Sequence, residues 1–113
     1  MNLSVNGRVI QTDEEGFLED PHDWDETVAR QIAADEDLPL DEARWAVVRY
    51  VRQYFEHNGS VPEARHVLRA MSELVGPDKA TRKYLYSLFP YGYGQQACKI
   101  AGMRKPRKLM LDV

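Results

Sequence analysis

The chain has 113 residues, 43% hydrophobic and 29% charged, at a formal net charge of −3, which suits one small globular domain with a single modest core. It contains no apolar run of the ~18–20 residues that span a bilayer. The start, MNLSVNGRVIQTDEEG, lacks the basic, apolar and small-residue order of a secretory signal. One cysteine excludes an internal disulfide and agrees with a reducing compartment, so the expected location is cytoplasmic.

Residues LSVNGRVI alternate around Asn6-Gly7, a pair suited to the positive φ angles of a type I′ turn, and predict a hairpin over about 2–10. TDEEGFL reads as a loop turning at Gly16. DWDETVARQIAADED predicts a helix over about 24–35. Asp23 and Glu26 have capping-box spacing there, and Trp24, Val28 and Ile32 share a stripe. After DLPL, Asp41 is expected to cap the longest helix, about 41–57. Its Trp45, Val48, Val51 and Phe55 recur at helical spacing, and Asn58-Gly59 stops it.

Ser60 and Glu63 again show capping-box spacing, ahead of a helix over about 61–75. Its predicted apolar face is Ala64, Val67, Leu68, Met71, Leu74 and Val75. Gly76-Pro77 ends it, Asp78 is expected to cap a helix over about 78–89, and Pro90 stops that one. PYGYGQQ reads as a glycine-rich hinge, and QQACKIA as a short helix over about 95–101 closed by Gly102. Residues 103–113, with Pro106, read as an exposed C-terminal arm. The expected fold is mainly α: one compact helical domain over 1–102 with a small N-terminal β-hairpin, a helix-turn-helix-like element and the arm.

Few residues point to chemistry. His22, His57 and His66 lie far apart without zinc-type spacing, and Cys98 has no cysteine partner, so structural histidines and no metal are expected. YGYGQQACK lacks the strand and the Lys-Ser/Thr ending of a phosphate loop, and no cofactor is expected. Charge is unevenly spread. Residues 1–44 hold 13 acidic and 3 basic side chains, whereas residues 45–113 hold 5 and 12. Such asymmetry suits a basic face for an anion, an acidic protein or nucleic acid, or two halves that neutralise each other. Lys79, Arg82, Lys83 and Tyr86 fall at i, i+3, i+4 and i+7 after a tight turn, as in a helix that meets DNA, or as one solvated face of a helix hairpin. Cys98 also carries two readings. At the start of a short helix, beside Lys99 and the arm residues Arg104, Lys105, Arg107 and Lys108, it is a candidate thiolate that accepts sulfur. On the flank of an apolar arc it is equally a small packing residue.

TDEEGFL, RWAVVRYVRQYF, PEARHVLRAM, RKYLYSLFP and QQACKIAGMRKP together resemble the DsrC/TusE family over nearly the whole chain. That family comprises the gamma subunit of dissimilatory sulfite reductase and the sulfur-relay proteins of tRNA thiolation. The resemblance implies a helical domain with an N-terminal hairpin and a C-terminal arm, and sulfur-transfer or sulfite-reductase proteins as partners. It also implies where sulfur is carried: a cysteine at the penultimate position of the arm, with a second one in ACKIAG in the sulfite-reductase branch. Cys98 matches the inner cysteine. The arm-tip position falls at Leu109, which holds no sulfur, and Arg104 replaces a proline. The resemblance therefore implies a sulfurtransferase-like relay protein at most, acting by binding partners, with Cys98 the sole candidate for a persulfide or mixed disulfide. The alternative is a non-catalytic regulatory relative that binds DNA or a sulfur-metabolism partner through its basic face.

Overall fold

In the computed structural model, which describes residues 1–106, strands β1 (Asn2–Val5) and β2 (Arg8–Gln11) pair antiparallel, with Leu3 opposite Ile10 and Val5 opposite Arg8. Asn6 and Gly7 supply the turn's two positive φ angles, 48° and 83°. Alternation sends Val5 and Ile10 into the core and leaves Val9 in water. Beyond β2 a Thr12–Leu18 bridge closes a loop. The Asp13 carboxylate gathers the amides of Glu15 and Phe17 at 2.9 and 3.0 Å, turning Phe17 and Leu18 inward.

The helices are α1 (Glu26–Asp35), α2 (Glu42–Asn58), α3 (Ala64–Leu74), α4 (Arg82–Leu88) and the single turn α5 (Cys98–Ile100). The start and stop expected for α2 are present: Asp41 takes the Arg44 amide at 3.0 Å, and Gly59 closes the helix at φ 70°. Three other starts differ, each because a proline intervenes. Pro21 opens its own 3-10 turn, Pro21–Asp23, so Asp25 rather than Asp23 caps α1, taking the Val28 amide at 2.9 Å. Trp24 thereby stays outside the helix. Pro62 biases the residue before it away from helix. The cap of α3 is therefore Glu63, in a box with His66, and not Ser60. Pro77 opens a 3-10 turn, Pro77–Lys79, and Thr81 instead of Asp78 caps α4, taking the Tyr84 amide at 3.1 Å.

The larger revision concerns the C-terminal stretch. The expected hinge and the helix over 95–101 are one buried segment: a π turn at Tyr93–Ala97 running into α5, packed against α1 and α2. Tyr93 and Gly94 are buried, and the Tyr93 hydroxyl donates to the Pro62 carbonyl, which anchors the segment to the start of α3. Packing continues past Gly102, because Met103 is fully buried. Leu74, assigned to the core from its spacing, is instead exposed at the end of α3. No described helix is long and apolar enough to cross a membrane.

Candidate functional site

The sole cysteine and the root of the arm lie together. Cys98 follows the π turn, and its own amide donates to the Tyr93 carbonyl, so it does not occupy a free helix N-terminus. Ala97, Cys98, Ile100 and Ala101 are all at 0% exposure, which leaves the segment no solvated flank. Burial pushes the Cys98 thiol up to about 12, against a smaller lowering by the nearby Tyr93 hydroxyl. Tyr93 is itself held in its neutral form, chiefly by burial. Of the two readings of Cys98, burial favours the small packing residue with a protonated thiol over the dipole-activated thiolate.

Of the basic residues expected to sharpen that thiolate, the three described ones point elsewhere. Lys99 reaches Glu36 at 3.5 Å and lies 5.0 Å above the Phe17 ring. Arg104 donates from Nε to the Glu19 carbonyl at 3.0 Å. Lys105 pairs with Glu15 at 2.7 Å, and that carboxylate raises its pKa. Residues 103–106 are thus fastened across the acidic loop of the N-terminal half. Arg107, Lys108 and the tip position Leu109 lie outside the described residues.

Spacing did not reveal a clamp that holds the arm root. Trp24 donates from its indole to the Ile100 carbonyl at 2.8 Å. Arg52 stacks on that indole at 4.7 Å and donates to the Ala101 carbonyl at 3.3 Å, with its Nε on Glu56 at 2.9 Å. Gly102 lies against the Trp24 face so closely that a Cβ there would meet Cδ1 at 2.4 Å. Beside this clamp runs a groove of ≈ 410 Å³ whose lining includes Phe55, Val61, Met103 and Pro106. The sequence offered Trp24 only as part of the apolar stripe of the first helix, and the turn at Pro21–Asp23 places it outside.

Chemistry outside this region is sparse. Among the described residues no group of three His, Cys, Asp or Glu side chains could hold a metal ion. The histidines are engaged singly, by Asp20, by the Gln53 carbonyl and by the Glu63 amide. The helix-turn-helix-like order of α3, turn and α4 is present. Its four-residue face is not continuous, however, since Lys79 ends the 3-10 turn while Arg82, Lys83 and Tyr86 lie exposed on α4. Lys79 instead sits 5.7 Å from the Tyr84 ring.

Comparison with known proteins agrees with this fold. Residues 4–110 match the family model DsrC, described as DsrC like protein. The chain is 42% identical to sulfurtransferase TusE of Yersinia pestis over 106 residues, 94% of this chain and 97% of the relative. It superposes on the oxidized gamma subunit of dissimilatory sulfite reductase (DsrC) from Archaeoglobus fulgidus with a TM-score of 0.89, at 38% identity over 95% of this chain and 97% of that one. Against Allochromatium vinosum DsrC the TM-score is 0.84, at 39% identity over 94% and 95% of the two chains. These proteins are named for sulfur transfer and sulfite reduction. Neither they nor the broken basic face support the DNA alternative.

Proposed function

Because this chain belongs to the DsrC family, we propose that it serves sulfur relay by binding the proteins that transfer sulfur, without itself carrying sulfur in its folded state. The observation that carries this reading is the sealed thiol: Cys98 is at 0% exposure with its pKa pushed up to about 12. A thiolate, not a thiol, attacks a sulfane sulfur, so both access and ionisation oppose transfer at neutral pH. The tip position that the family resemblance gives to the carrier cysteine holds Leu109. The partners assigned are sulfur-transfer or sulfite-reductase proteins, in keeping with the names of the relatives. The compartment assigned is the cytoplasm, where a lone free thiol needs no oxidised partner.

The test pairs a binding measurement with a transfer measurement. In transfer, the Cys98 thiolate would attack the outer sulfur of a donor persulfide, forming a new S–S bond and releasing the donor as its thiolate. Calorimetry with a persulfide-loaded sulfurtransferase from the same genome should show binding, retained in Cys98→Ala. Intact mass should show no added sulfur on the folded chain at neutral pH. The urea-unfolded chain, treated with inorganic polysulfide, should gain it. Uptake by folded Cys98 as fast as by the unfolded chain would restore the carrier role. A wild-type chain that binds no sulfur-transfer protein would overturn the partner-binding role.

A further inference from the structure

The described basic residues of the first 63 positions, Arg8, Arg30, Arg44, Arg49 and Arg52, all have carboxylate partners. From α3 through α4 the balance changes. Arg65 pairs with Glu63, whereas Arg69, Lys79, Arg82 and Lys83 are exposed and form no ion pair among the described residues. Exposed cations without an ion-pair partner in the fold are open to a carboxylate from outside the chain.

One of these cations, Lys79, borders an apolar floor. Between α2 and the end of α3 runs a groove of ≈ 680 Å³, floored by Ala43, Ala46, Tyr50, Leu74, Val75 and Tyr84, with Glu42, Arg49 and Lys79 on its rim. Leu74 keeps 44% of its surface exposed there, although it ends the apolar stripe of α3. A recess of ≈ 280 Å³ continues the same face past Tyr50 and brings in Arg69, with Glu73 beside it. Arg49 is held only loosely, 3.7 Å from Glu26, in a half-exposed pair. Such a pair contributes little and exchanges readily for another carboxylate.

We infer that this groove docks an amphipathic helix of a partner protein, its apolar side chains on the Ala46–Leu74–Tyr84 floor and its flanking Asp or Glu residues on Arg49, Lys79 and Arg69. The inference deepens the partner-binding reading and rests on it for biological meaning. A helix in a groove combines an apolar stripe with charged edges, which is the pattern of this surface. Nucleic acid fits it poorly. Duplex phosphate presents one negative charge per ~1.7 Å along its axis, whereas the exposed carboxylates of Glu42, Glu73 and Asp78 interrupt the cations. The apolar floor also offers phosphate nothing.

The test begins with a displayed library of random helix-forming peptides selected on the immobilised full chain. Selected sequences should be amphipathic and acidic. Their amide shift changes in the 15N-labelled protein should centre on Ala46, Tyr50, Leu74, Lys79 and Tyr84. The double variant Leu74→Asp, Lys79→Glu changes exposed positions, so its melting temperature should stay near wild type, while peptide affinity falls roughly tenfold or more. Failure to select binders, binders mapping to the arm-root groove, basic consensus sequences, or a duplex DNA that shifts the same amides more tightly would each overturn the inference. The sulfurtransferase titration separates this from the broader reading. Equal donor binding by the double variant overturns the groove as the docking site but leaves partner binding intact. No binding by the wild type overturns that reading, while the peptide map still decides the groove.

Discussion

Replacing Gly102 by alanine tests the arm-root clamp most directly. Gly102 sits at φ 79°, and its added Cβ would lie 2.4, 2.6 and 2.7 Å from Cδ1, Cγ and Cβ of Trp24. The left-handed backbone alone costs an alanine ~1–2 kcal/mol. Removing the clash means moving Trp24, which gives up the indole bond to Ile100 and the stacked Arg52 guanidinium, each worth about 1 kcal/mol net. The sum is roughly 3–4 kcal/mol, which for a chain of this size lowers the melting temperature by about 10–20 °C. Urea and thermal unfolding measure the loss. Labelling of Cys98 with an aromatic disulfide reagent reports whether the root opens, and the rate should rise alongside. Trp24→Ala is the companion variant. In its background Gly102→Ala should cost only the backbone share, ~1–2 kcal/mol, and the difference is the coupling energy of the pair. A Gly102→Ala chain destabilised by less than about 1 kcal/mol, or fully additive with Trp24→Ala, would refute the clamp.

The helix caps and the buried thiol give two further expected outcomes. Asp25→Ala and Thr81→Ala each remove an observed cap and should lower stability by about 1 kcal/mol. The neighbouring Asp23→Ala and Asp78→Ala should stay within ~0.5 kcal/mol in the same urea titrations; the reverse order would return the caps to the positions that spacing suggested. Cys98 makes stability fall in alkali: burial raises its thiol from 9.0 to about 12, so above pH ~9 the unfolded chain gives up this proton first. The contribution is fully present below that pH and is lost as pH rises toward the folded value. Against Cys98→Ala, the wild type should lose up to ~1.4 kcal/mol per pH unit more over that window. Parallel pH profiles for the two proteins would show that the thiol titrates as if it were exposed.

Much of the architecture was legible before any coordinates. The Asn6-Gly7 hairpin, the long helix between Asp41 and Gly59 and the order of the helices all rest on residues within a few positions of one another. Backbone φ preference, capping and helical periodicity act over that range. The candidate site was legible only in part. LFP and ACKIAG marked the right region, but they said nothing of the environment of Cys98. A wheel of 95–101 put that cysteine on the flank of the apolar arc and left both readings open, because the wheel assumes an α-helix from the start and the π turn at Tyr93–Ala97 changes the phase.

The sequence by itself determined the hairpin, the four longer helices and their order, and by resemblance the family and its missing tip cysteine. The tertiary structure decided which residue caps each helix after a proline, that Cys98 is buried, that Leu74 faces a groove, and what fastens the arm root. The bonds holding the root join residues 76, 85 and 90 positions apart: Trp24 to Ile100, Arg104 to Glu19 and Lys105 to Glu15. No local pattern encodes such contacts. A thiol's ionisation depends on how much water the whole fold removes from around it, and around Cys98 that water is removed by distant parts of the chain closing over it.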